Sequence, residues 1–211
     1  MKILVVADEE SRYLWDYYQE GMFDDIDLIL SAGDLNHEYL SFLVTMAHCP
    51  LLYVHGNHDD SYERKPPEGC ICIEDQIYEY QGIRILGLGG SKRYRPDSIH
   101  QYTEAQMMRR MLGLTFPLLY HGSFDILLTH APARGFHDSK DLPHQGFEVF
   151  NRLIRRFHPR YHIHGHVHKS YGKDFCRLDH REGTSVINAY ERFCFEYSAD
   201  STLVNERIYP L

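Results

Sequence analysis

The stretch "HIHGHVHK", which begins at His162, places four histidines on alternate positions. Because successive residues of a strand point to opposite faces, this spacing would put all four rings on one side of an extended chain. A polar strand face would explain an isolated pair, but Gly165 interrupts the row, and glycine lets a strand end in a turn. We therefore predict that His162 and His164 belong to a strand, whereas His166 and His168 lie in the loop beyond it and can converge on a metal.

Further side chains of the metal-ligand type follow apolar runs elsewhere in the chain. Continuous apolar runs are typical of strands buried on both faces, and ligand sites of α/β sheets form beyond the carboxyl ends of strands. An aspartate after one strand is commonly a turn or cap residue, but turn chemistry does not explain ligand types at five strand ends. The runs lie at 2–8, 27–34, 50–59, 84–91, 125–132 and 161–168. The polar residues that they end in are Asp8, Asp34, Asn57, His58, His130, His166 and His168.

The remaining pattern predicts one α/β domain over residues 1–211, with layered sheets flanked by helices. Residues 92–123 form a long excursion, which we interpret as a cap over a sheet edge. The tail at 171–209 predicts short strands, with a turn at Asp200 and Ser201. Apolar residues at helical spacing and cap signals predict helices at about 11–21, 36–48, 103–114 and 146–157.

Composition narrows the class of partner. The chain has 211 residues, of which 43% are apolar and 25% charged, as in a soluble globular domain. A net charge of −8 argues against a general binder of nucleic acid or of anionic membranes. No apolar run approaches the roughly 20 residues that span a bilayer. Five cysteines without a CxxC motif, and no signal peptide, predict reduced thiols and a cytoplasmic protein. The oligomeric state stays open.

Five short motifs occur in a fixed order along the chain. They are Asp8 with Glu10, "GD" at 33–34, "GNHD" at 56–59, "TH" at 129–130 and "GHVH" at 165–168. This set resembles the calcineurin-like metallophosphoesterases, whose motifs are DxH, GD, GNH[DE], a lone His and GHxH. The resemblance covers residues 1 to about 170. It departs at Glu10, which stands where the family has histidine.

The resemblance implies a four-layer αββα sandwich, with mixed β-sheets flanked by helices and two divalent metal ions at the strand ends. Asp34 would bridge the ions, and His58 would sit beside the ester and assist the leaving oxygen. By motif position, the first ion would be bound by Asp8, Glu10, Asp34 and His168. The second would be bound by Asp34, Asn57, His130 and His166.

Such a site makes chemical sense for ester hydrolysis. Two ions about 3.5–4 Å apart can hold a phosphoryl group and activate a water or hydroxide for attack. Mixed oxygen and nitrogen ligands suit Mn²⁺, our first choice, and also Fe or Zn²⁺. The unperturbed pKa of histidine, about 6.5, suits His58 for proton transfer, although a hydrogen-bonded turn histidine is the alternative.

Four further residues have two interpretations each. Glu10 either binds the first metal, since carboxylates suit hard divalent ions, or points to solvent. Asp59 either orients His58 or caps the turn. Arg93 and Arg95 either bind a substrate phosphate or belong to a solvated loop.

We therefore predict a metal-dependent phosphoesterase, and we favour a phosphodiester with a small or nucleotide-like group because the chain is short and acidic. The first alternative is a phosphomonoesterase that acts on a protein or a small metabolite. The second is a non-catalytic metal-binding scaffold for protein interaction. Because the chain keeps His58 and all but one of the family's ligand types, the enzyme is favoured.

Overall fold

The computed structural model describes residues 1–168 and 175–197. The strands of this part are β1 (Lys2–Ala7), β2 (Leu28–Ser31), β3 (Leu51–Tyr53), β4 (Ile71–Cys72), β5 (Gln76–Tyr80), β6 (Ile83–Leu88), β7 (Ser91–Lys92), β8 (Gln101–Tyr102), β9 (Ile126–Thr129), β10 (Tyr161–His164), β11 (Leu178–Arg181), β12 (Thr184–Asn188) and β13 (Glu191–Glu196). Its α-helices are α1 (His37–Ala47), α2 (Glu104–Gly113), α3 (Thr115–His121) and α4 (Glu148–Phe157). A 3₁₀ turn occupies Asp59–Glu63.

The strands form two mixed sheets and one small parallel pair, β7 with β8. The first sheet has the order β13-β1-β2-β3-β4, in which only β13 is antiparallel to its neighbour. The second has the order β11-β12-β10-β9-β6-β5, with a parallel centre and an antiparallel strand at each edge. Because the central strands of each sheet are parallel, their carboxyl ends share one edge, where the loops carrying the sequence motifs begin.

Alternate residues of β1 contribute to two different cores. Ile3 and Val5 pack between the two sheets, whereas Leu4 and Val6 pack in the cluster that contains α1. A third cluster joins the outer face of the second sheet to α2, α3 and α4. Strands buried on both faces must be apolar at every position, which explains the continuous runs in the sequence. The resulting order of helix, sheet, sheet and helices is the four-layer fold that the family resemblance implies.

The predicted helix at about 11–21 is wrong, because residues 12–17 and 20–25 form turns. The Ser11 side chain does not cap a helix: its hydroxyl donates to Glu191 and accepts from Arg192. Leu14 is the only fully buried apolar side chain of the segment, while Tyr17 is 65% exposed, so a continuous apolar helical face is lacking. The other three helices are confirmed.

Two segments of the excursion at 92–123 are helical. Helix α2 packs beside α4, with Met107 fully buried, and α3 contacts β5 at the edge of the second sheet. In the tail, β12 and β13 are strands, while the turn at Asp200 and the last predicted strand lie outside the described residues. Among residues 1–168 and 175–197, no helix has the length and apolarity that crossing a bilayer requires.

Gly33→Ala should test how closely the loops after β2 and β3 pack. Gly33 has φ +92°, and a Cβ there would lie 2.2 Å from the backbone nitrogen of Gly56, which cannot move aside as a side chain can. We expect the substitution to lower the free energy of unfolding by about 2–5 kcal/mol, from the left-handed backbone and the overlap together. Urea denaturation measures this change.

The matched control is Gly113→Ala at the end of α2, where an added Cβ meets nothing within 4 Å. Alanine is the better helix former, so this variant should be as stable as the parent or more stable by up to about 1 kcal/mol. Equal stability of the two variants would contradict the close packing of the loops.

Candidate metal centre

His130 follows β9 and is completely buried. Its Nδ1 lies 2.7 Å from the carbonyl oxygen of Ala32 and must donate, since a carbonyl only accepts. Its Nε2 lies 3.1 Å from Asn57 Oδ1 and 3.1 Å from His166 Nδ1. The same atom lies 3.4 Å from Asp34 Oδ2. In the neutral ring, Nε2 therefore carries a lone pair that faces three polar atoms of separate loops.

His166 presents a second lone pair to the same point. Its Nε2 lies 2.8 Å from the carbonyl oxygen of Pro143 and donates to it, which leaves Nδ1 without hydrogen in the neutral ring. Burial, reinforced by His130, lowers the pKa of His166 to about 3, so the ring stays neutral. The Asn57 amide nitrogen donates to Tyr94, which directs the amide oxygen inward.

These atoms form a cluster that a cation satisfies. Asp34, His130 and His166 offer ligand atoms within 4.8 Å of one another. Burial opposes a charge on His130, but the Asp34 carboxylate outweighs it and raises the pKa of His130 to about 9, so a proton is one cation that can serve. Carboxylate, amide oxygen and two imidazoles also fit a divalent transition metal. The donor set thus fits the ion that the sequence predicts here.

The Asp34 carboxylate is held on both sides. Its Oδ1 accepts a hydrogen bond of 2.7 Å from the backbone nitrogen of His58, which leaves Oδ2 for His130. Burial would raise the pKa of Asp34, but His130 and the His58 amide hold it well below its usual range. A charged carboxylate between the two motif loops can bind a cation on either side of it.

Asp59 joins those two loops through their backbones. One carboxylate oxygen accepts from the backbone nitrogens of Asp34, at 2.9 Å, and of Gly56, at 2.7 Å. Burial and the neighbouring charge of Asp34 raise the pKa of Asp59 to about 7. These contacts tie the two loops together, and whether Asp59 also orients His58 stays a prediction.

A second pair of candidate ligands, Asp8 and His168, lies at the end of β1. Both oxygens of Asp8 lie 2.9 Å from the backbone nitrogen of His166, and its Oδ1 lies 3.5 Å from His168 Nε2. A Cβ on Gly165 would lie 2.7 Å from Asp8 Oδ2, so only glycine lets the last loop pass here. The structure thus brings the first and last motifs together.

Glu10 and His58 line a cavity of about 400 Å³ together with Asp34 and Asp59. Glu10 Oε1 accepts a hydrogen bond of 2.8 Å from the backbone nitrogen of Asn36, the N-cap of α1. His58 is exposed at this cavity. The second oxygen of Glu10 can still coordinate, so its role as a ligand stays a prediction.

Three candidate ligands hold an unusual backbone. The φ angles of Asp8, Asp34 and His166 are 67°, 58° and 68°, in the left-handed region that side chains disfavour. Each such residue costs about 1–3 kcal/mol, and such strain concentrates at functional sites. At these three residues the left-handed backbone turns the chain sharply after β1, β2 and β10.

The excursion reaches the site through Tyr94, whose hydroxyl accepts from Asn57 Nδ2 at 3.3 Å. Arg93 Nε instead donates to the Gln101 carbonyl, and the Arg95 guanidinium lies 5.5 Å from the Tyr94 ring centroid. Phosphate binding by the two arginines stays a prediction. The sequence gives no sign of the contact between Tyr94 and Asn57, because nothing local shows which of three adjacent polar residues turns inward.

A larger cavity, of about 880 Å³, adjoins His168. Its walls include Asp138, Lys140 and His144. The His144 ring lies 5.2 Å from that of His166, which brings this cavity beside the metal centre. Lys140 is a cation in reach of an anionic ligand that occupies it.

Comparison with known proteins agrees with this architecture. The sequence profile of the calcineurin-like phosphoesterase family matches residues 1–170. The chain therefore belongs to the calcineurin-like metallophosphoesterases.

Individual relatives differ in how much of their length they share. Human metallophosphoesterase domain-containing protein 1 is 45% identical over 106 residues, which cover 49% of this chain and 31% of that protein. The first curated relatives are matched over only 25% to 31% of their length. An uncharacterised protein of Haemophilus influenzae is 26% identical over 202 residues, covering 80% of this chain and 84% of its own. Phosphopantetheinyl hydrolase of Mycobacterium tuberculosis shares the fold, with TM-score 0.60, 13% identity, and coverage of 90% and 88%.

Asp34→Asn should lose most bound metal. Asparagine keeps an oxygen that accepts from the His58 amide but removes the charge that lies 3.4 Å from His130. We expect metal content after dialysis, measured by elemental analysis, to fall to a small fraction of that of the parent. Asp138→Asn, at the neighbouring cavity, is the control and should keep its metal. Equal metal content in Asp34→Asn and parent would exclude Asp34 as a bridging ligand.

Proposed function

We propose that this protein hydrolyses phosphate esters, using two divalent metal ions held at the shared edge of its sheets. The observation that carries the proposal is the convergence of lone pairs on His130 Nε2, His166 Nδ1, Asp34 Oδ2 and Asn57 Oδ1. Membership of the calcineurin-like family supports the same chemistry. We assign one ion to Asp34, Asn57, His130 and His166. We assign the other to Asp8, Glu10, Asp34 and His168.

Bound ions would polarise the phosphoryl group and activate the attacking water. The chain's own residues then have distinct tasks. Asp34, fixed by the His58 backbone amide, keeps the two sets of ligands together. Asp59 holds the backbones of Asp34 and Gly56 in register, which keeps the ring of His58 at the cavity. His58 is the exposed group that can give a proton to the leaving oxygen.

We favour a phosphodiester with a small or nucleotide-like group. The cavity of about 880 Å³ beside His168 falls within the range of small-molecule sites, about 300–1,000 Å³. Lys140 in its wall offers a charge for the non-bridging oxygens of an ester. Arg93 and Arg95 remain proposed phosphate contacts from the excursion. Mn²⁺ is the ion we favour, because the assigned ligands are oxygens and imidazoles.

We also propose a cytoplasmic location. All five cysteines are free, and free thiols persist in reducing compartments. A phosphomonoesterase is the alternative activity, and a metal-binding scaffold is the alternative from another class. Comparison of p-nitrophenyl phosphate with bis-p-nitrophenyl phosphate, each with added Mn²⁺, separates the three. Turnover of neither ester would favour the scaffold.

His58→Ala should separate metal binding from chemistry. The structure gives the side chain of His58 no place among the converging ligand atoms, so the variant should keep its metal. Loss of a placed proton donor should lower kcat about 10²–10⁴-fold. Steady-state kinetics with elemental analysis of the same sample measure both quantities.

His121→Ala, at the end of α3, is the matched control and should leave kcat and metal content unchanged. Near-normal kcat for His58→Ala would remove His58 from the mechanism. Loss of metal from His58→Ala would instead identify it as a ligand.

Glu10→Gln and Glu10→His should show whether Glu10 binds metal. Glutamine keeps an oxygen for the Asn36 amide, so a loss of metal would report the missing charge rather than a broken loop. Histidine restores the family's ligand type and should keep the metal. Because one negative charge fewer lets the ion acidify the attacking water more, the pH–rate profile of Glu10→His should shift towards acid.

The neighbouring Glu9→Gln is the control, since Glu9 bonds the Tyr190 hydroxyl. It should retain the metal content and the pH profile of the parent. If both Glu10 variants also bind metal and titrate like the parent, Glu10 points away from the ion.

A further inference from the structure

A second group of ligand-type side chains lies outside the proposed dimetal centre. His137 follows β9 in the chain, and Cys176 and Asp179 flank the start of β11. One ligand atom from each lies within 4.8 Å of the other two. The three residues come from two separate segments, so their convergence is a product of the tertiary fold.

The hydrogen-bonding state of His137 follows from its neighbour His164. His164 is completely buried, which favours the neutral ring, and its Nδ1 lies 2.9 Å from the carbonyl oxygen of Gly165. Because a carbonyl only accepts, this nitrogen carries the hydrogen, and Nε2 is left with a lone pair. His137 Nδ1 lies 3.1 Å from that Nε2 and must donate to it.

The other nitrogen of His137 is therefore a lone-pair donor without a partner. The side chain is 6% exposed, and its Nε2 is buried without a hydrogen bond. The nearest acid, Asp179 Oδ2, lies 4.0 Å away, beyond hydrogen-bond distance. The unpartnered Nε2 thus faces a carboxylate oxygen across 4.0 Å, and a cation between them would bind to both.

The same geometry excludes a nucleophilic triad of thiol, imidazole and carboxylate. A triad needs one ring nitrogen for the nucleophile and the other for the acid. Here Nδ1 of His137 is already bonded to His164, so Nε2 alone faces both Cys176 and Asp179. Three ligand atoms that converge on one point suit a metal ion better than a relay of protons.

We propose that His137, Cys176 and Asp179 bind one zinc ion, separate from the dimetal centre. Thiolate, imidazole and carboxylate are all ligands of Zn²⁺, and the bond lengths of about 2.0–2.3 Å require the three atoms to close in modestly from their present spacing. The Cys176 thiol, which now donates to the Leu178 carbonyl, loses its proton to solvent on binding. Water or a further ligand completes the tetrahedron. The hydrogen bond from His137 to His164 orients the ligating ring, as outer partners of metal-bound histidines do.

A third cluster, formed by His55, Cys72 and Glu74, does not meet the same test. Glu74 already pairs with the Arg110 guanidinium at 2.6 Å and with His55 Nδ1 at 2.5 Å. Hydrogen bonds to Cys72 and Glu74 outweigh burial and raise the pKa of His55 to about 10. This cluster therefore already contains its cations.

The zinc ion would fasten the loop after β9 to the start of β11. That loop carries Pro143, whose carbonyl oxygen fixes the His166 ring in the dimetal centre. The three proposed ligands also line the cavity of about 880 Å³. The site would thus hold a wall of the cavity and one support of the dimetal centre in place.

Cobalt substitution tests the site without reference to activity. The dimetal ligands include no thiolate, so a thiolate-to-cobalt charge-transfer band in the near ultraviolet can come only from a site with cysteine. We expect apoprotein titrated with Co²⁺ to develop this band, and added Zn²⁺ to remove it. Cys176→Ala and His137→Gln should abolish or strongly weaken the band and lower bound zinc by one equivalent.

Cys72→Ala is the matched control, because it removes the cysteine of the third cluster, and it should keep the band. Asp34→Asn should also keep it, since that variant damages only the dimetal centre. A parent protein without the band would overturn the proposal, as would a band that survives Cys176→Ala or disappears in Cys72→Ala. If Cys176→Ala fails to fold, loss of the band in His137→Gln still tests the proposal.

Discussion

Backbone carbonyl oxygens determine where the lone pairs of the buried histidines point. A carbonyl can only accept, so each ring nitrogen that meets one must carry the hydrogen, and the opposite nitrogen is left bare. Ala32 does this for His130, and Pro143 does it for His166. The bare nitrogens then meet each other and the Asp34 carboxylate. The backbone therefore determines how the candidate ligands of this cluster are arranged.

This control by carbonyls depends on loops that approach unusually closely. The Ala32 carbonyl, 98 positions away in sequence, reaches His130 from the loop that follows β2 of the other sheet. The loops can meet because Gly33 packs against the backbone of Gly56, and Gly165 passes over Asp8. The left-handed backbone at Asp8 and Asp34 turns the polypeptide sharply in the loops after β1 and β2. The three glycines thus help set the distances at which the side chains meet.

The sequence was sufficient for features whose signal is local. Buried strands are apolar at every position and end in polar residues, so both the strands and most of the candidate ligands were visible. The segment at 11–21 misled because its cap signal, Ser11, is bound instead to residues 180 and 181 positions later in the chain. The Pro143 carbonyl and the inward turn of Tyr94 left no signal at all, since a carbonyl belongs to every residue and the rotamer of one tyrosine depends on its partners.

The alternating histidines of β10 and its loop show the same difference between a local sequence pattern and contacts that only the fold creates. Ile163 packs between the sheets, whereas His162 and His164 are buried towards the outer layer. Burying an imidazole is costly unless its nitrogens find partners. His162 Nε2 meets the Thr129 hydroxyl, and because that hydroxyl donates to a carbonyl, the ring must donate to it in turn, while His162 Nδ1 has no hydrogen-bond partner. His164 is hydrogen-bonded at both nitrogens. Because its Nε2 can only accept, His137 Nδ1 must donate to it. Strand β10 therefore orients the His137 ring on the outer face of its sheet, while the loop that follows brings the candidate ligands His166 and His168 to the edge.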